Sequence, residues 1–305
     1  MEFGKVSDIE SVNWALPSED LASLGYLRGL PPSRCQWFLG APTWGCKQWI
    51  GKIYPREATP DEFLKYYARA FNTIELNTTH YGIPSDDKVK SWVGSVTPGF
   101  KFCPKFPQEI SHRPFGLADK FLLGKWQKAL GFFGDHLGVS FIQLPPHFDY
   151  SQKTLLFQFL EAWPSELPLA LELRHTSWFQ EQQVLPGLAE YLRKKGIGLV
   201  ILDVAGKRGV AHTTMSAPFV LLRFIGNDLH PTDYSRAKVW CQRMKSWAEN
   251  GLQQCYFFAH QPDDIKGPEM TSFLAELYNR EVGSGWANPL AVKGSLLNLP
   301  IEGLD

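Results

Sequence analysis

Charged residues alternate with aliphatic ones in several short apolar runs of this chain, and the alternation directs them to one place. Successive side chains of a β-strand take opposite faces. In Ile74-Glu75-Leu76-Asn77 an apolar pair packed on helices therefore sends Glu75 and Asn77 the other way. In Leu171-Glu172-Leu173-Arg174 the same parity selects Glu172 and Arg174. Lys101, Cys103 and Lys105 lie opposite Phe100, Phe102 and Phe106, and Gln143, Asp203 and Arg223 stand at comparable positions of three further runs. Three acids (Glu75, Glu172, Asp203) thus meet three cations (Lys105, Arg174, Arg223). Two carboxylates whose pKa values are driven apart by unlike surroundings can share out proton transfer. In that reading Glu172 is the acid/base, while Glu75 is its partner base or orients Lys105. Arg174 and Lys105 hold an anionic group, and Asn77 and Gln143 bind hydroxyls. The competing reading is a self-neutralising ion network, since a buried charge is costly unless it is paired or used.

Aromatic and imidazole side chains stand next to these charges. Trp44, Tyr81 and Trp178 would wall a pocket suited to sugar rings or bases, with His112 and His175 beside them, whereas Trp49 reads as packing. The eight histidines form neither HxH nor HExxH. Glu172 and His175, three apart on a strand, fall on opposite faces. Glu75, Glu172, Asp203 and His260 could cluster around a divalent metal, but the cations in the same ring argue against one, and no cofactor is expected. Gly226-Asn227 offers either a phosphate nest or a simple turn. Lys194-Lys195 and Lys207-Arg208 read as solvated charges. No glycine-rich nucleotide loop or GxSxG elbow occurs.

The elements that must position these groups follow from periodicity. Strands are predicted near 37–40, 73–77, 100–104, 140–144, 169–174, 198–203, 219–225 and 255–259. Helical patterns run near 86–95, 118–136, 153–162, 184–195, 235–249 and 266–278, and Thr59-Pro60-Asp61-Glu62 supplies a start signal for another. Pro17-Ser18-Glu19-Asp20 could cap a short helix through Leu24. The stretch 205–216 is short for one. Eight strands alternating with helices imply right-handed crossovers and a parallel sheet, closed as a TIM-type (β/α)8 barrel with its site at the carboxyl ends of the strands. The expected organisation is an N-terminal extension over 1–35, the barrel over 36–280 and a C-terminal tail over 281–305.

Composition narrows the function classes. The chain has 305 residues, 31 Lys+Arg against 31 Asp+Glu, and 14 % aromatic residues. Nucleic-acid binders usually carry a basic excess, because counterion release supplies much of their affinity. The neutral balance disfavours that class, although Lys101, Lys105, His112 and Arg113 could form a local basic patch. Cys35, Cys46, Cys103, Cys241 and Cys255 form no CxxC pair, which suggests free thiols in a reducing compartment. With no signal-like start and no long apolar run, a cytoplasmic setting and no membrane partner are expected. An enzyme for a small sugar-like or phosphorylated substrate is the leading reading. A nucleotide- or nucleic-acid-binding, endonuclease-like protein and a non-catalytic ligand sensor are its rivals, and oligomeric state stays open.

Several motifs resemble one family in joint order. Gly40-Ala41-Pro42-Thr43-Trp44 with Trp49-Ile50-Gly51 and Tyr54-Pro55 is similar to the opening signature of the YecE-like, or DUF72, proteins. Phe71-Asn72-Thr73-Ile74-Glu75-Leu76-Asn77, Tyr81, Phe102-Cys103-Pro104-Lys105-Phe106-Pro107 and Ser111-His112 follow. Gln143-Leu144-Pro145-Pro146 and Glu172-Leu173-Arg174-His175-Thr176-Ser177-Trp178 come next. The resemblance spans roughly residues 36–280 and implies a β/α barrel without an established activity, placed by fold analogy near sugar isomerases and apurinic-site endonucleases. His80 replaces a common Phe, Phe258-Ala259-His260 replaces a common Asn-Asn-type ending, and the helix at 266–278 lacks the usual small-residue and Asn pattern. These departures leave the role of the eighth strand open.

Overall fold

The structure, a computed structural model, describes residues 4–291. The helices α1 (Leu21–Arg28), α2 (Phe63–Ala70), α3 (Asp86–Val93), α4 (Lys120–Gly131), α5 (Lys153–Ala162), α6 (Pro186–Lys195), α7 (Pro231–Glu249) and α8 (Gly267–Val282) follow the predicted periodicities. Local chemistry sets their starts. Asp20 caps α1 by accepting from the Ala22 N–H, and Thr59 and Glu62 close a reciprocal capping box before α2, which buries Phe63, Leu64 and Tyr67. The stretch 205–216 forms only a short 3₁₀ segment, Ala205–Val210.

The parallel strands are β1 (Gln36–Gly40), β2 (Thr73–Leu76), β3 (Lys101–Pro104), β4 (Ser140–Gln143), β5 (Leu169–Glu172), β6 (Gly198–Asp203), β7 (Phe219–Ile225) and β8 (Gln254–His260). They make a mixed α/β fold with a central parallel sheet of order β1-β8-β7-β6-β5-β4, while β2 and β3 pair separately. The ladder is therefore interrupted at two seams, where an uninterrupted eight-stranded ring was expected. A few backbone bonds span them: the Glu75 N–H reaches the Ala41 carbonyl at 3.3 Å at the first, and at the second the Gly138 N–H reaches the Phe102 carbonyl at 2.7 Å and the Phe106 N–H that of Phe141 at 2.9 Å.

Side chains do the ladder's work at the first seam. The Asn72 amide donates to the Trp37 carbonyl at 2.9 Å and accepts from the Leu39 N–H at 2.8 Å. The Tyr67 hydroxyl accepts from the Ala41 N–H at 2.7 Å and donates to the Thr73 carbonyl at 2.9 Å. Buried backbone groups must find partners, and here they find them without continuous strand pairing. Gly40 is required at this approach, since a Cβ there would lie 2.5 Å from the Thr73 carbonyl oxygen.

Strand parity sorts the core. Phe38, Cys103, Phe141, Ala170, Val200, Phe219, Leu221, Tyr256 and Phe258 form an apolar cluster enclosed by the strands, with Phe38 stacked on Tyr256 at 4.5 Å. The opposite faces pack on the helices. The polar ends of β2, β4, β5, β7 and β8 sit just above the enclosed cluster, so charges there rest on a low-dielectric floor. The segment before β1 lies along the body: Trp14 stacks under Arg236 at 4.1 Å, and the Gly206 N–H donates to the Gly4 carbonyl at 2.8 Å. At the other end Trp286 packs on Tyr278, while residues 292–305, most of the expected tail, lie outside the described part. Among the described residues no helix is long and apolar enough to cross a membrane. All five cysteines are free.

Candidate functional site

Arg223, on the inward parity of β7, is the hinge of the charged layer. Its Nε and Nη2 donate to Glu75 Oε2 and Oε1, both at 2.9 Å, and its Nη1 donates to Glu172 Oε2 at 2.8 Å. One planar guanidinium thus bridges carboxylates from β2 and β5 with the fork geometry that suits such pairs. Glu75 also accepts from Asn77 Nδ2 at 2.9 Å and from His260 Nε2 at 2.8 Å. Glu172 Oε1 accepts from Arg174 Nε at 2.5 Å. Both glutamates are fully buried.

This pairing fixes their ionisation. Burial pushes Glu75 up, but the charges of Arg223 and His260 hold it well below the usual carboxylate range. Burial likewise raises Glu172, and Arg174, Arg223 and Lys105 together bring it down to about 2. Neither is suited to the acid/base role expected for Glu172 and Glu75. Glu75 has four donors on its two oxygens, and Glu172 holds no proton to give near neutrality. They are the anchors of the layer.

A cavity of about 650 Å³ opens above it, and each of the eight strand ends or the loop that follows contributes to its wall. Lys105, just past β3, lines it together with Asn77, Gln143 and Arg174. Among the described residues no hydrogen bond or ion pair engages the Lys105 ammonium. Burial and the Arg223 charge lower it to about 8, against the pull of Glu172 and Glu75.

Asp203 is the main correction. It was expected in the ring, but it points to the helical layer, where it accepts from Trp240 Nε1 at 2.7 Å and pairs with Arg236 at 3.2 Å and with Arg208. The register explains why: Leu202 pairs with Arg223 and takes the inward parity, so Asp203 takes the outer one with Phe224. Without Asp203 the layer holds two acids against three cations and carries one uncompensated positive charge. At the rim, Lys5 and Asp264 add one charge of each sign.

The remaining expected residues divide. Tyr81 lines the cavity and is 79 % exposed. His112 lies behind the wall with its ring 5.2 Å from that of His80; burial and the neighbouring His80 and Lys105 push it down to about 4. Trp178 is not a wall but core, donating from Nε1 to the Phe148 carbonyl at 2.8 Å. Trp44 packs edge-on against Trp92 at 5.9 Å. An indole brings its own apolar bulk and one donor; Trp178 satisfies both in the core, and Trp44 packs its ring on Trp92 away from the mouth. His175 caps the 3₁₀ turn Thr176–Trp178 through its Nδ1. Lys101 sits at the opposite end of β3, reaching the Asp135 carbonyl at 2.5 Å. The Gly226-Asn227 nest is already filled by the protein's own oxygens: both carboxylate oxygens of Asp233 accept from the Asn227 N–H, at 2.9 and 2.8 Å. A Cβ on Gly226 would collide with Gln261, whose Oε1 accepts from the Asp228 and Leu229 N–H groups.

Three contributors were not among the residues expected to bind or act on a substrate, although His260 was weighed as a metal ligand. His260, third on the inward parity after Tyr256 and Phe258, sits 2.8 Å from Glu75. Because an ionised carboxylate only accepts, His260 Nε2 carries the proton in this contact. His80 lines the cavity and hydrogen-bonds the Phe106 carbonyl through Nδ1. Gly4, Lys5, Val6 and Ile9 of the N-terminal extension close one side of the mouth. The parity of β8 could have revealed the first; the last depends on backbone contacts with no residue-type signature.

Comparison with known proteins agrees with this geometry. Residues 38–291 match the model of the family described as "Protein of unknown function DUF72". The chain is 28 % identical over 257 residues to the UPF0759 protein YecE of Escherichia coli, covering 78 % of this chain and 91 % of that protein. It is 26 % identical over 149 residues to the UPF0759 protein YunF of Bacillus subtilis, covering 47 % and 52 % respectively. Crystal structures of DUF72 family proteins from Enterococcus faecalis and Thermotoga maritima superpose with TM-scores of 0.65 and 0.63. Their identities are 18 and 22 %, over 81 and 80 % of this chain and 99 and 98 % of theirs.

Proposed function

The chain belongs to the DUF72 family, and on that premise we propose that its mouth is the active site of an enzyme acting on a small anionic, hydroxyl-bearing substrate of the sugar-phosphate kind. The eight strands are read as one (β/α)8 barrel whose first seam is bridged by side chains and whose second by isolated backbone bonds, which puts the site where barrel enzymes carry theirs. One observation carries the reading: Lys105 is a cation without an ion-pair partner among the described residues, lining a cavity above two glutamates whose oxygens all already accept from other donors. A network built only for stability would close its charge balance.

The roles follow from the contacts. Lys105 and Arg174 attract the anion, and Asn77 and Gln143 supply the amide donors and acceptors that hydroxyls need. His260, steered by Glu75, moves the proton, so acid/base work passes from the glutamates to an imidazole that a glutamate orients. The basic patch required by the nucleic-acid alternative lacks support, since Lys101 and Lys105 lie at opposite ends of β3 and Arg113 faces Glu109 at 3.9 Å. Five free cysteines are in keeping with a reducing, cytoplasmic setting.

Sulfate, whose charge is fixed over the relevant pH range, tests the site by calorimetry. Binding should be steady below pH 7 and fall as pH rises through about 8, where Lys105 loses its proton. Lys105→Met should weaken it at least tenfold, about 1.4 kcal/mol. Sulfate affinity that is absent, or equal in wild type and variant, would refute the reading.

A further inference from the structure

We propose that Lys105 is a nucleophilic amine that forms a Schiff base with a carbonyl-bearing anionic substrate, such as a 2-oxo acid or an aldose or ketose phosphate. The inference rests on the anion site proposed above and goes beyond it, because it replaces charge recognition at Lys105 with covalent chemistry and leaves the anion to Arg174.

The amine must reach its target free and unprotonated. Among the described residues no carboxylate or carbonyl engages the Lys105 Nζ, although Lys105 stands between two glutamates. Glu75 is saturated by Arg223, His260 and Asn77, and Glu172 by Arg223 and Arg174. The charged groups around it are Arg223 from β7, Arg174 and Glu172 from β5 and its following loop, and Glu75 from β2. Neutral neighbours at the end of β2 fix its backbone: its N–H donates to the Leu76 carbonyl at 3.2 Å, and its carbonyl accepts from Thr79 Oγ1 at 2.7 Å. With the amine lowered to about 8, roughly a tenth is neutral at pH 7, against a few parts in ten thousand for an ordinary lysine.

A general base also stands in the cavity. His80 donates from Nδ1 to the Phe106 carbonyl at 2.9 Å, leaving Nε2 with its lone pair. Burial, and after it the charge of Lys105, lowers its pKa and keeps it neutral. The balance is then complete. The neutral Nζ attacks the carbonyl carbon, the C=O π pair goes to oxygen, and one Nζ proton passes through His80 to that oxygen. The carbinolamine then loses water: the nitrogen lone pair forms C=N as the C–O bond breaks, and the second Nζ proton passes through His80 to the departing hydroxyl. One amine and one carbonyl give one imine and one water, and no oxidant or metal is consumed.

The test uses the full chain at pH 7 with glyoxylate and cyanoborohydride, which reduces only the iminium, followed by peptide mapping. Lys105 should be labelled about a hundredfold faster than the average of the other lysines, following its larger neutral fraction. The Lys105→Arg protein should lose that label, since a guanidinium does not form the imine. Labelling of wild-type Lys105 at the rate of surface lysines overturns the Schiff base and leaves the anion site standing. Failure of wild type to bind sulfate overturns the anion site as well. The mapping on wild type decides the question even if Lys105→Arg folds poorly.

Discussion

Replacing Arg223 with Met removes the one cation that both buried glutamates share while keeping most of the stem volume. The cost can be worked from Glu172 alone. A carboxyl held from an ordinary 4.5 down to about 2 has its charged form favoured by about 3 kcal/mol. Arg174 and Lys105 supply part of that, but Glu75 loses both of its guanidinium bonds and keeps only Asn77 and His260. Breaking a buried pair by deleting one partner costs about 3–5 kcal/mol, so the melting temperature should fall by roughly 5–8 °C for a domain of this size.

The pH dependence makes the prediction sharper. In the wild type the glutamates are depressed in the folded state. Their stabilisation is present above the unfolded value near 4.5 and is lost as pH falls from there toward about 2. In Arg223→Met, burial dominates at Glu75 and raises it above its unfolded value. That contribution is present below the unfolded pKa and lost as pH rises through the folded one, so the variant should be relatively more stable near pH 5 than at pH 8. Urea unfolding at both pH values measures the crossing. Adding Glu75→Gln to the variant removes the stranded charge and should recover more than half of the loss at pH 8. A cost below about 1 kcal/mol, or wild-type and variant curves with the same pH slope, would show that Arg223 is not the keystone described.

Arg174→Met should be milder, because Glu172 keeps Arg223. A loss of about 2 kcal/mol, seen as a drop of a few degrees in thermal melting, is expected together with weakened sulfate binding; collapse of the fold would make Arg174 a structural partner and not a ligand contact. The thiols give an independent check. Burial lifts Cys35, Cys103 and Cys241 to about 12 and Cys255 further, so a thiol reagent at pH 7 should titrate at most one quickly in the native protein and all five in guanidinium. Fewer than five after denaturation would contradict the free cysteines.

The strands were legible because their apolar runs are short, regularly spaced and separated by helical periods, and all eight lie within a residue or two of where periodicity put them. Direction was legible where polar residues repeat on one parity, as at Glu75 with Asn77 and Glu172 with Arg174. At Asp203 the run Leu199-Val200-Ile201-Leu202 is apolar on both faces, so alternation carries no information there, and the choice was made by Arg236 and Trp240 on α7. Seams in the ladder were equally hidden, since they depend on Tyr67 and Asn72, whose phenol and amide replace strand bonds from outside the strand. Trp44 and Trp178 failed as pocket walls because residue type fixes an indole's size and donor but not where it turns. The family resemblance located the motifs and left these orientations undecided.

The misplaced aspartate alters the functional argument more than its single charge suggests. With Asp203 in the ring, three acids cancel three cations, and the layer needs no ligand. With Asp203 bound on the outer face to Arg236 and Arg208, the inner balance stops one anion short, and the deficit falls on Lys105. The protein meets part of that deficit by easing the proton off, which is why burial and Arg223 can draw the amine down to about 8. An anion arriving beside Lys105 reverses the balance and favours its protonated form, so binding and proton uptake are linked. A carbonyl arriving instead finds the neutral form already present. On the proposed reading, the same deficit makes the Lys105 nitrogen available to a substrate carbonyl while Arg174 holds the anion.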